Sequence, residues 1–257
     1  MNSLLAITGA ILLLLPGISP KEGRKTYTQR VPASLARFEM VLAPGQGDRK
    51  PFWIGKTEIT WEVYEVWAYQ LDLTVKEPDA RGQAVTRPSK PYGVPDRGYG
   101  HLGYPALGMT SQAVFKFCEW LAKKTGKPYR LPTEDEWRRV CGENSSKDLG
   151  LIAWTSANSE RKTHPVAAKS ANSFGLFDIF GNVSEWCSTG QGGFVTRGGS
   201  FRNLPERVNC AFREEYNPDW QASDAQYPKS SWWLSDGDFV GFRVACDLEA
   251  NNKRKEK

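Results

Sequence analysis

Histidine is scarce in this sequence, and paired cysteines and long apolar segments are missing from most of it. Only His101 and His164 occur among 257 residues, which excludes a metal site built from three histidines of this chain. The five cysteines include no Cys-x-x-Cys pair, which argues against a zinc ribbon or a redox-active dithiol. Beyond residue 20, no apolar run approaches the roughly 20 residues that a membrane-spanning helix needs.

The formal charge of +5 is concentrated at the two ends of the chain. Residues 21–30 and residues 251–257 each contain four basic residues and one acid, so each segment carries +3 and the rest of the chain carries −1. A nucleic-acid-binding protein needs its basic residues clustered on the folded body. The sequence therefore predicts no nucleic-acid partner. We interpret 21–36 as a basic linker, 37–248 as one domain and 249–257 as a charged tail.

Residues 1–20 are uncharged and rich in leucine, and a basic residue, Lys21, follows them. This pattern predicts a signal peptide, because the apolar part is shorter than a membrane span. The expected location is therefore secreted or periplasmic, and the alternative is a membrane anchor formed by the same segment left uncleaved. The five cysteines are compatible with an oxidising compartment. Separately, we expect the protein to be a monomer.

Apolar spacing predicts helices in the first half of the chain. Thr60 is a candidate N-cap for a helix with Val63, Val66, Trp67 and Leu71 on one face. Thr110 precedes a second periodic segment that ends at Gly126, and Thr133 with Glu136 forms the sequence of a capping box. Two short strands are expected at 38–42 and 52–54.

Beyond residue 141 the sequence predicts only short strands and turns, within 172–187, 194–202, 207–213 and 239–247. Early helices followed by short strands are typical of an α+β fold. With ten tryptophans and 24 glycines, we expect an irregular fold with little regular secondary structure.

Four motifs occur in order along the chain: RLPTEDEW at 130–137, NSFGLFDIFGNVSEW at 172–186, VTRGGSF at 195–201 and GFRVACD at 241–247. Together they closely resemble the formylglycine-generating enzyme family, also called the sulfatase-modifying factor family. The resemblance covers about residues 37–247. It implies an irregular C-type-lectin-like fold and, in the best-known members, copper-dependent oxidation of a sulfatase cysteine to formylglycine.

The copper ligands implied by this resemblance are missing. Asn203 and Val208 stand where the family's two copper thiols would lie, and neither side chain supplies the thiolate that Cu(I) prefers. Ser200 matches the active-site serine and is the candidate catalytic residue. Copper is therefore not expected, and whether the chain is an enzyme stays open.

The resemblance also implies a structural calcium site and two disulfides. The calcium ligands would be the side chains of Asp178 and Glu185 and the backbone carbonyls of Gly181 and Val183, since Ca²⁺ takes oxygen ligands. The alternative is that the two carboxylates cap local turns. The implied disulfides are Cys141–Cys210 and Cys118–Cys246, which leaves Cys187 as a buried thiol.

A ligand groove is expected around Ser200, Arg202 and Asn203, with Trp232 and Trp233 as exposed rings that would stack on a sugar or a peptide. The alternative is that these rings pack in the core. Three functions remain open: a secreted domain that binds a ligand or runs a different chemistry, a sulfatase-modifying oxidase, and a structural domain stabilised by calcium and disulfides. Candidate partners are a sulfatase, another secreted protein or peptide, and a glycan.

Overall fold

The computed structural model describes residues 25–74, 86–91, 93–142 and 149–248. The predicted signal peptide at 1–20 and the predicted tail at 249–257 lie outside the described residues, as does part of the long loop between residues 77 and 105. Among the described residues, no helix combines the length and the apolar character that crossing a membrane would require.

The described chain forms α-helices where the apolar spacing predicts them. They are α1 (Trp61–Ala68), α2 (Ser111–Thr125) and α3 (Glu134–Cys141). Before α2, the hydroxyl of Thr110 accepts a hydrogen bond from Ala113 N at 3.1 Å, and after it Gly126 is left-handed with φ of 71°. Helix α3 has the predicted capping box, in which the side chains of Thr133 and Glu136 each accept from the other's backbone N–H. Local sequence therefore sets the ends of both helices.

Helix α1 is shorter than its apolar pattern indicates. Val63 and Trp67 are buried as expected, but the helix ends at Ala68, and Leu71 is 54% exposed. Gln70 has φ of 56°, a left-handed conformation that an α-helix does not continue through.

Short strands in the described chain form two sheets. The strands are β1 (Thr26–Arg30), β2 (Arg37–Ala43), β3 (Phe52–Gly55), β4 (Tyr129–Arg130), β5 (Ser184–Ser188), β6 (Phe194–Arg197), β7 (Arg213–Glu215), β8 (Val240–Gly241) and β9 (Ala245–Asp247). The first sheet has the order β1-β2-β3-β9-β4 and is antiparallel. The second has the order β7-β6-β5-β8, and only its β5–β8 pair is parallel.

Strand β1 corrects the predicted start of the domain, because it lies inside the segment 21–36 interpreted as a linker. It pairs with β2, with Tyr27 opposite Met40 and Gln29 opposite Phe38. The ring of Tyr27 packs edge-to-face on Trp53 of β3, with 4.7 Å between centroids. The exposed side chains of β1 are polar or basic. A segment of this composition is hard to distinguish from a linker by sequence, because its pairing with β2 is not visible there.

The second half of the chain contains less strand than predicted. Segment 172–187 is mostly turns, because Asp178, Gly181 and Asn182 have φ of 52°, 74° and 52°, and only its end belongs to β5. Segment 207–213 contributes the end of a 3₁₀ turn and the first residue of β7. Left-handed residues interrupt strands, so this half is irregular. The whole is an irregular α+β fold, as expected.

Aromatic side chains fill the main core. Tyr64 of α1 contacts the rings of Trp67, Phe117 and Phe242 at centroid distances of 5.5, 5.5 and 6.0 Å. Trp232 belongs to this core: its ring lies 6.0 Å from that of Trp67, and only 9% of the residue is exposed. The prediction that Trp232 lines a ligand groove is therefore wrong, because its ring completes the aromatic packing.

Candidate functional site

The Gly-Asn-x-x-Glu-Trp motif contributes one half of a buried ion pair. Glu185 lies on β5, Arg243 follows β8, and their side chains are 1% and 0% exposed. Arg243 Nε donates to Oε2 of Glu185 at 2.6 Å, and Nη2 donates to Oε1 at 2.5 Å. Trp137 Nε1 donates to the same Oε2 at 2.8 Å. The guanidinium also donates to the carbonyls of Gly55 and Phe177, so this pair ties distant segments together.

Two further buried carboxylates lie close to Glu185. Glu58 accepts hydrogen bonds from Val183 N at 3.0 Å and from Asn182 Nδ2 at 2.7 Å. Burial, and then the charges of Asp178 and Glu185, raise the pKa of Glu58 well above its ordinary value. Burial, together with the charge of Glu185, raises the pKa of Asp178 to about 6. Three buried carboxylates thus lie in the field of one buried guanidinium, and only Glu185 of the three contacts it in the described chain.

The predicted calcium ligands have donor chemistry that suits the ion. Asp178 Oδ2 accepts from Ala167 N at 2.7 Å, but its buried Oδ1 has no hydrogen-bond partner among the described residues. Oε1 of Glu185 accepts one N–H, which leaves a lone pair for a cation. The described residues contain no group of three or more His, Cys, Asp or Glu arranged to hold a metal. A calcium site here would therefore depend on the backbone carbonyls of Gly181 and Val183.

Ser200, the candidate catalytic residue, is fully buried. Its hydroxyl and its backbone N–H both donate to Oδ1 of Asn203, at 2.9 and 2.8 Å. The same hydroxyl accepts from Arg202 N at 3.2 Å. Ser200 and Asn203 therefore close a tight turn, and their side chains are occupied by each other instead of facing a ligand.

A recess of about 620 Å³ opens beside this turn; we call it the Arg202 recess. Its lining consists of Tyr99, Ser156, Arg161, Phe201 and Arg202. Two guanidiniums, a phenol, a serine hydroxyl and an aromatic ring thus line one opening. Of the predicted groove residues, Arg202 lines this recess directly.

Neighbouring contacts hold the walls of the Arg202 recess. The guanidinium of Arg202 pairs with Asp238, and Tyr99 Oη donates to Oδ2 of the same carboxylate at 2.8 Å. The backbone carbonyl of Asn203 accepts from Ser156 N at 2.9 Å, so Asn203 shapes the recess from behind. Arg161, in contrast, has no carboxylate within 4 Å in the described part of the chain.

His101 anchors the loop that carries Tyr99. Its Nε2 lies 3.0 Å from Oε2 of Glu65 on α1, and its Nδ1 lies 3.2 Å from Oδ2 of Asp96. The imidazole also stacks on Trp61 with an interplanar angle of 9°. Burial lowers the pKa of His101, but the hydrogen bonds and charges of Glu65 and Asp96 outweigh burial and raise it. Through its contact with Glu65, the imidazole of His101 therefore holds the loop to α1.

Trp233 lines a different opening, of about 500 Å³, which we call the Trp233 recess. Its ring nitrogen donates to Ser89 O at 2.8 Å, and the walls include Pro91, Val94 and Leu107. Among the described residues, the two recesses share none in their linings. The predicted single groove is therefore wrong, because its arginine part and its tryptophan part line separate openings. Arg97 lines the Trp233 recess, whereas Tyr99 lines the Arg202 recess.

The cysteines form one of the two predicted disulfides. Cys141 and Cys210 are bonded, at a sequence separation of 69. Cys118 and Cys246 are free and buried, so the second predicted bond is absent. The thiol of Cys246 donates to the carbonyl of Asp247 instead of reaching the α2 thiol. Cys187 is a buried free thiol, as expected.

Neither of the positions implied for copper thiols offers a metal ligand in this structure. Asn203 is engaged by Ser200, and Val208 is 1% exposed within the hydrophobic cluster around Trp137. All five cysteines belong to the described residues, and none of them lines the Arg202 recess.

Sequence reasoning missed three residues that shape these sites: Glu58, Tyr99 and Arg161. Glu58 is 1% exposed although it is charged, and it lies two residues before the N-cap of α1. The position of this carboxylate, in a short segment between a strand and a helix, was the one sequence feature that could have indicated a buried role for Glu58. Tyr99 and Arg161 lie in segments without periodicity, where the sequence offers no such signal.

Curated relatives match part of the chain. Serine/threonine-protein kinase pkn1 of Chlamydia caviae is 30% identical over 151 residues, covering 46% of this chain and 22% of that protein. Formylglycine-generating enzyme of Mus musculus is 26% identical over 188 residues, covering 56% of this chain and 44% of that protein. The chain thus spans less than half the length of these relatives.

Solved structures share the fold over most of the chain. Treponema denticola variable protein 1 matches with a TM-score of 0.58 and 23% identity, covering 87% of this chain and 99% of that one. PvdO from Pseudomonas aeruginosa matches with a TM-score of 0.58 and 22% identity, covering 89% and 100%.

A family model described as "Sulfatase-modifying factor enzyme 1-like domain" matches residues 21–226. Its span includes β1, in agreement with the earlier start of the folded domain. With most of its length matched by that model, the chain belongs to the sulfatase-modifying factor family, whose fold its α+β architecture shares.

Proposed function

We propose that this chain is a secreted binding domain of the family, which takes a short peptide segment of a partner protein into the Arg202 recess and does not oxidise cysteine. The observation that carries the proposal is the Ser200–Asn203 turn. An amide stands where the first copper thiol is expected, and its Oδ1 accepts both donors of Ser200. This turn provides a rigid wall for a ligand and no thiolate for copper.

The lining of the Arg202 recess suits a peptide. Guanidinium groups donate several hydrogen bonds in a fixed plane, which matches peptide carbonyls and carboxylates. Arg161 has no carboxylate partner in the described chain, so its donors are available to a ligand. Phe201 and Tyr99 add aromatic surface, with 5.6 Å between their ring centroids, for an apolar side chain. A partner sulfatase, or another secreted protein, would present such a segment.

The first test asks whether the chain is an oxidase. Purified protein is incubated with Cu(I), oxygen and a peptide that contains a Cys-x-Pro-x-Arg segment, and aldehyde is measured by mass spectrometry. We expect no aldehyde above a protein-free control. Turnover that disappears in a Ser200→Ala variant would overturn the proposal and favour the sulfatase-modifying alternative.

The second test asks whether the recess binds peptides. A random-peptide display library is selected on the wild-type protein and, in parallel, on the Arg161→Gln variant, whose exposed side chain makes it a mild change. We expect peptides enriched by the wild type to lose at least about tenfold in affinity for the variant, since a charge-assisted hydrogen bond is lost. An Arg37→Gln variant serves as control, because Arg37 is an exposed residue of β2 that does not line the recess. Equal enrichment on all three proteins would show that the peptides bind outside the Arg202 recess and would contradict the proposal, and no enrichment on any of them would favour a structural role.

We also propose that calcium binds at Asp178, Gly181, Val183 and Glu185 as a structural ion. The buried Oδ1 of Asp178, without a partner in the described chain, supports this proposal. At a calcium concentration 100 times the Kd, the ion would stabilise the fold by about 2.7 kcal/mol. We expect the melting temperature to fall when EDTA replaces calcium in the buffer.

The matched control for the calcium site is Asp236, a carboxylate that is less buried than Asp178. The Asp178→Asn variant is expected to lose the calcium-dependent shift in melting temperature, whereas Asp236→Asn should keep it. A wild-type melting temperature that is identical in calcium and in EDTA would show that the site holds no ion.

A further inference from the structure

A third recess lies where three separate segments meet beside the disulfide. It has a volume of about 420 Å³ and is formed by the β2–β3 turn, the exposed side of α3 and the chain at 210–211. Its lining consists of Gln46, Arg49, Asp135, Arg138, Arg139, Cys210 and Ala211. We call it the triple-arginine recess. None of these described residues also lines the Arg202 recess or the Trp233 recess.

Positive charge dominates this recess. Three guanidiniums face a single carboxylate, which leaves a formal charge of +2 in the lining. Arg49 lies 3.2 Å from Asp135, but both side chains are 55% exposed, so this contact is strongly hydrated. Arg139 donates to the carbonyl of Lys50 at 3.1 Å. Within the described residues, no carboxylate lies within 4 Å of Arg138.

A purely structural role explains only part of this arrangement. Arg138 and Arg139 occupy the last turn of α3, where basic side chains interact favourably with the helix dipole. That interaction does not account for Arg49, which comes from another element and faces the same recess. It also leaves the buried Nε of Arg139 without an acceptor among the described residues.

The walls of the recess are held in place without a ligand. Gln46 and Arg49 exchange backbone hydrogen bonds of 3.0 and 3.1 Å across their turn. The Arg139 guanidinium lies over the ring of Phe52, 4.8 Å from its centroid. The Cys141–Cys210 disulfide joins the end of α3 to the opposite wall. A preorganised set of donors loses little conformational entropy when it binds.

We propose that the triple-arginine recess binds a doubly charged oxyanion, either a sulfate or a phosphate group. Guanidiniums hold such groups through paired, charge-assisted N–H···O bonds, and three of them can contact several oxygens of a tetrahedral anion. The net charge of +2 in the lining equals the charge of a dianion in magnitude. A ligand with one carboxylate would neutralise only half of it. The group can arrive as a free ion or as an ester carried by a larger molecule, where a phosphate monoester keeps close to two negative charges and a sulfate ester keeps one.

Calorimetric titration of the full chain tests this site. Sodium sulfate and sodium phosphate are titrated at low, matched ionic strength, with sodium acetate and sodium chloride as comparison anions, because salt weakens exposed charge interactions. We expect sulfate and phosphate to bind with a stoichiometry of one, and more tightly than acetate or chloride. Equal binding of all four anions would overturn the proposal.

Variants locate the binding. Arg138→Gln removes an exposed guanidinium and should weaken binding by at least about tenfold, as expected for a lost charge-assisted hydrogen bond. Arg37→Gln makes the same change in charge at an exposed residue of β2 outside the recess and should leave the affinity unchanged. Because Arg139 packs on Phe52, Arg49→Gln is the preferred second variant. Unchanged affinity in both Arg138→Gln and Arg49→Gln would show that the anion binds elsewhere.

Two esters then distinguish the source of the group. A sulfated disaccharide and a phosphoserine peptide are titrated into the wild type and into Arg138→Gln. Tighter binding of either ester than of the free ion, lost in the variant, identifies its carrier. If neither ester exceeds the free ion, the recess binds the ion alone. These results do not depend on the Arg202 recess, so the two proposals can fail separately.

Discussion

Replacing Arg243 by methionine is expected to lower the free energy of unfolding by about 3–5 kcal/mol, the usual effect of removing one partner of a buried ion pair. Methionine keeps much of the length of the side chain but removes its charge and its donors. Glu185 would then be left 1% exposed without its guanidinium, beside the carboxylates of Glu58 and Asp178. Urea unfolding followed by tryptophan fluorescence measures the loss.

Arg213→Met is the matched control for this prediction. Arg213 also pairs with carboxylates, Glu134 and Glu215, but its side chain is 40% exposed. Exposed pairs contribute about 0–1 kcal/mol, so the control should lose little stability. Adding Glu185→Gln to Arg243→Met should recover part of the loss, because it removes the uncompensated charge. Equal losses in the two single variants would contradict the central role of the buried pair.

Removing the Cys141–Cys210 disulfide is expected to lower the free energy of unfolding by about 4 kcal/mol, from the loop-closure entropy of a long covalent loop. The bond spans 69 residues, a large part of the domain, and joins the end of α3 to the segment before β7. Without the bond, the unfolded chain gains conformational entropy and the native state does not, so the free energy of unfolding falls. The measurement compares urea unfolding of the wild type and of Cys141→Ser with Cys210→Ser.

A reducing agent provides the control for the disulfide. Dithiothreitol should lower the melting temperature of the wild type and leave the double serine variant unchanged. Cys118→Ala should respond to dithiothreitol like the wild type, since its thiol is free. If Cys118→Ala lost that response, a Cys118–Cys246 bond would be present in solution and the described pairing would be wrong.

Much of the local structure could be predicted because the interactions responsible are close in sequence. The capping box of Thr133 and Glu136 and the left-handed Gly126 are contacts within a few residues, so spacing alone indicates them. The four ordered motifs indicated the family, which the family model confirms. The resemblance that these motifs carry also implies that Asn203 and Val208 stand where the family's copper thiols would lie.

The candidate site was harder to predict because it is built from residues far apart in the chain. Tyr99, Arg161 and Arg202 meet in one recess although about 100 residues separate the first from the last, and no local pattern reports that approach. Strand β1 was hard to predict for the same reason. Its residues are mostly polar, and they form a strand because they pair with β2.

The sequence by itself determined the helices, the irregular α+β class and the family, since each follows from residue types at short or ordered spacing. Only the tertiary structure decided that Ser200 is buried, that Trp232 belongs to the core and that Trp233 faces a separate recess. Long-range packing sets the burial of each of these side chains, and the type of residue alone does not determine it. The same packing brings three arginines from two elements to one recess, where their charges meet a single carboxylate.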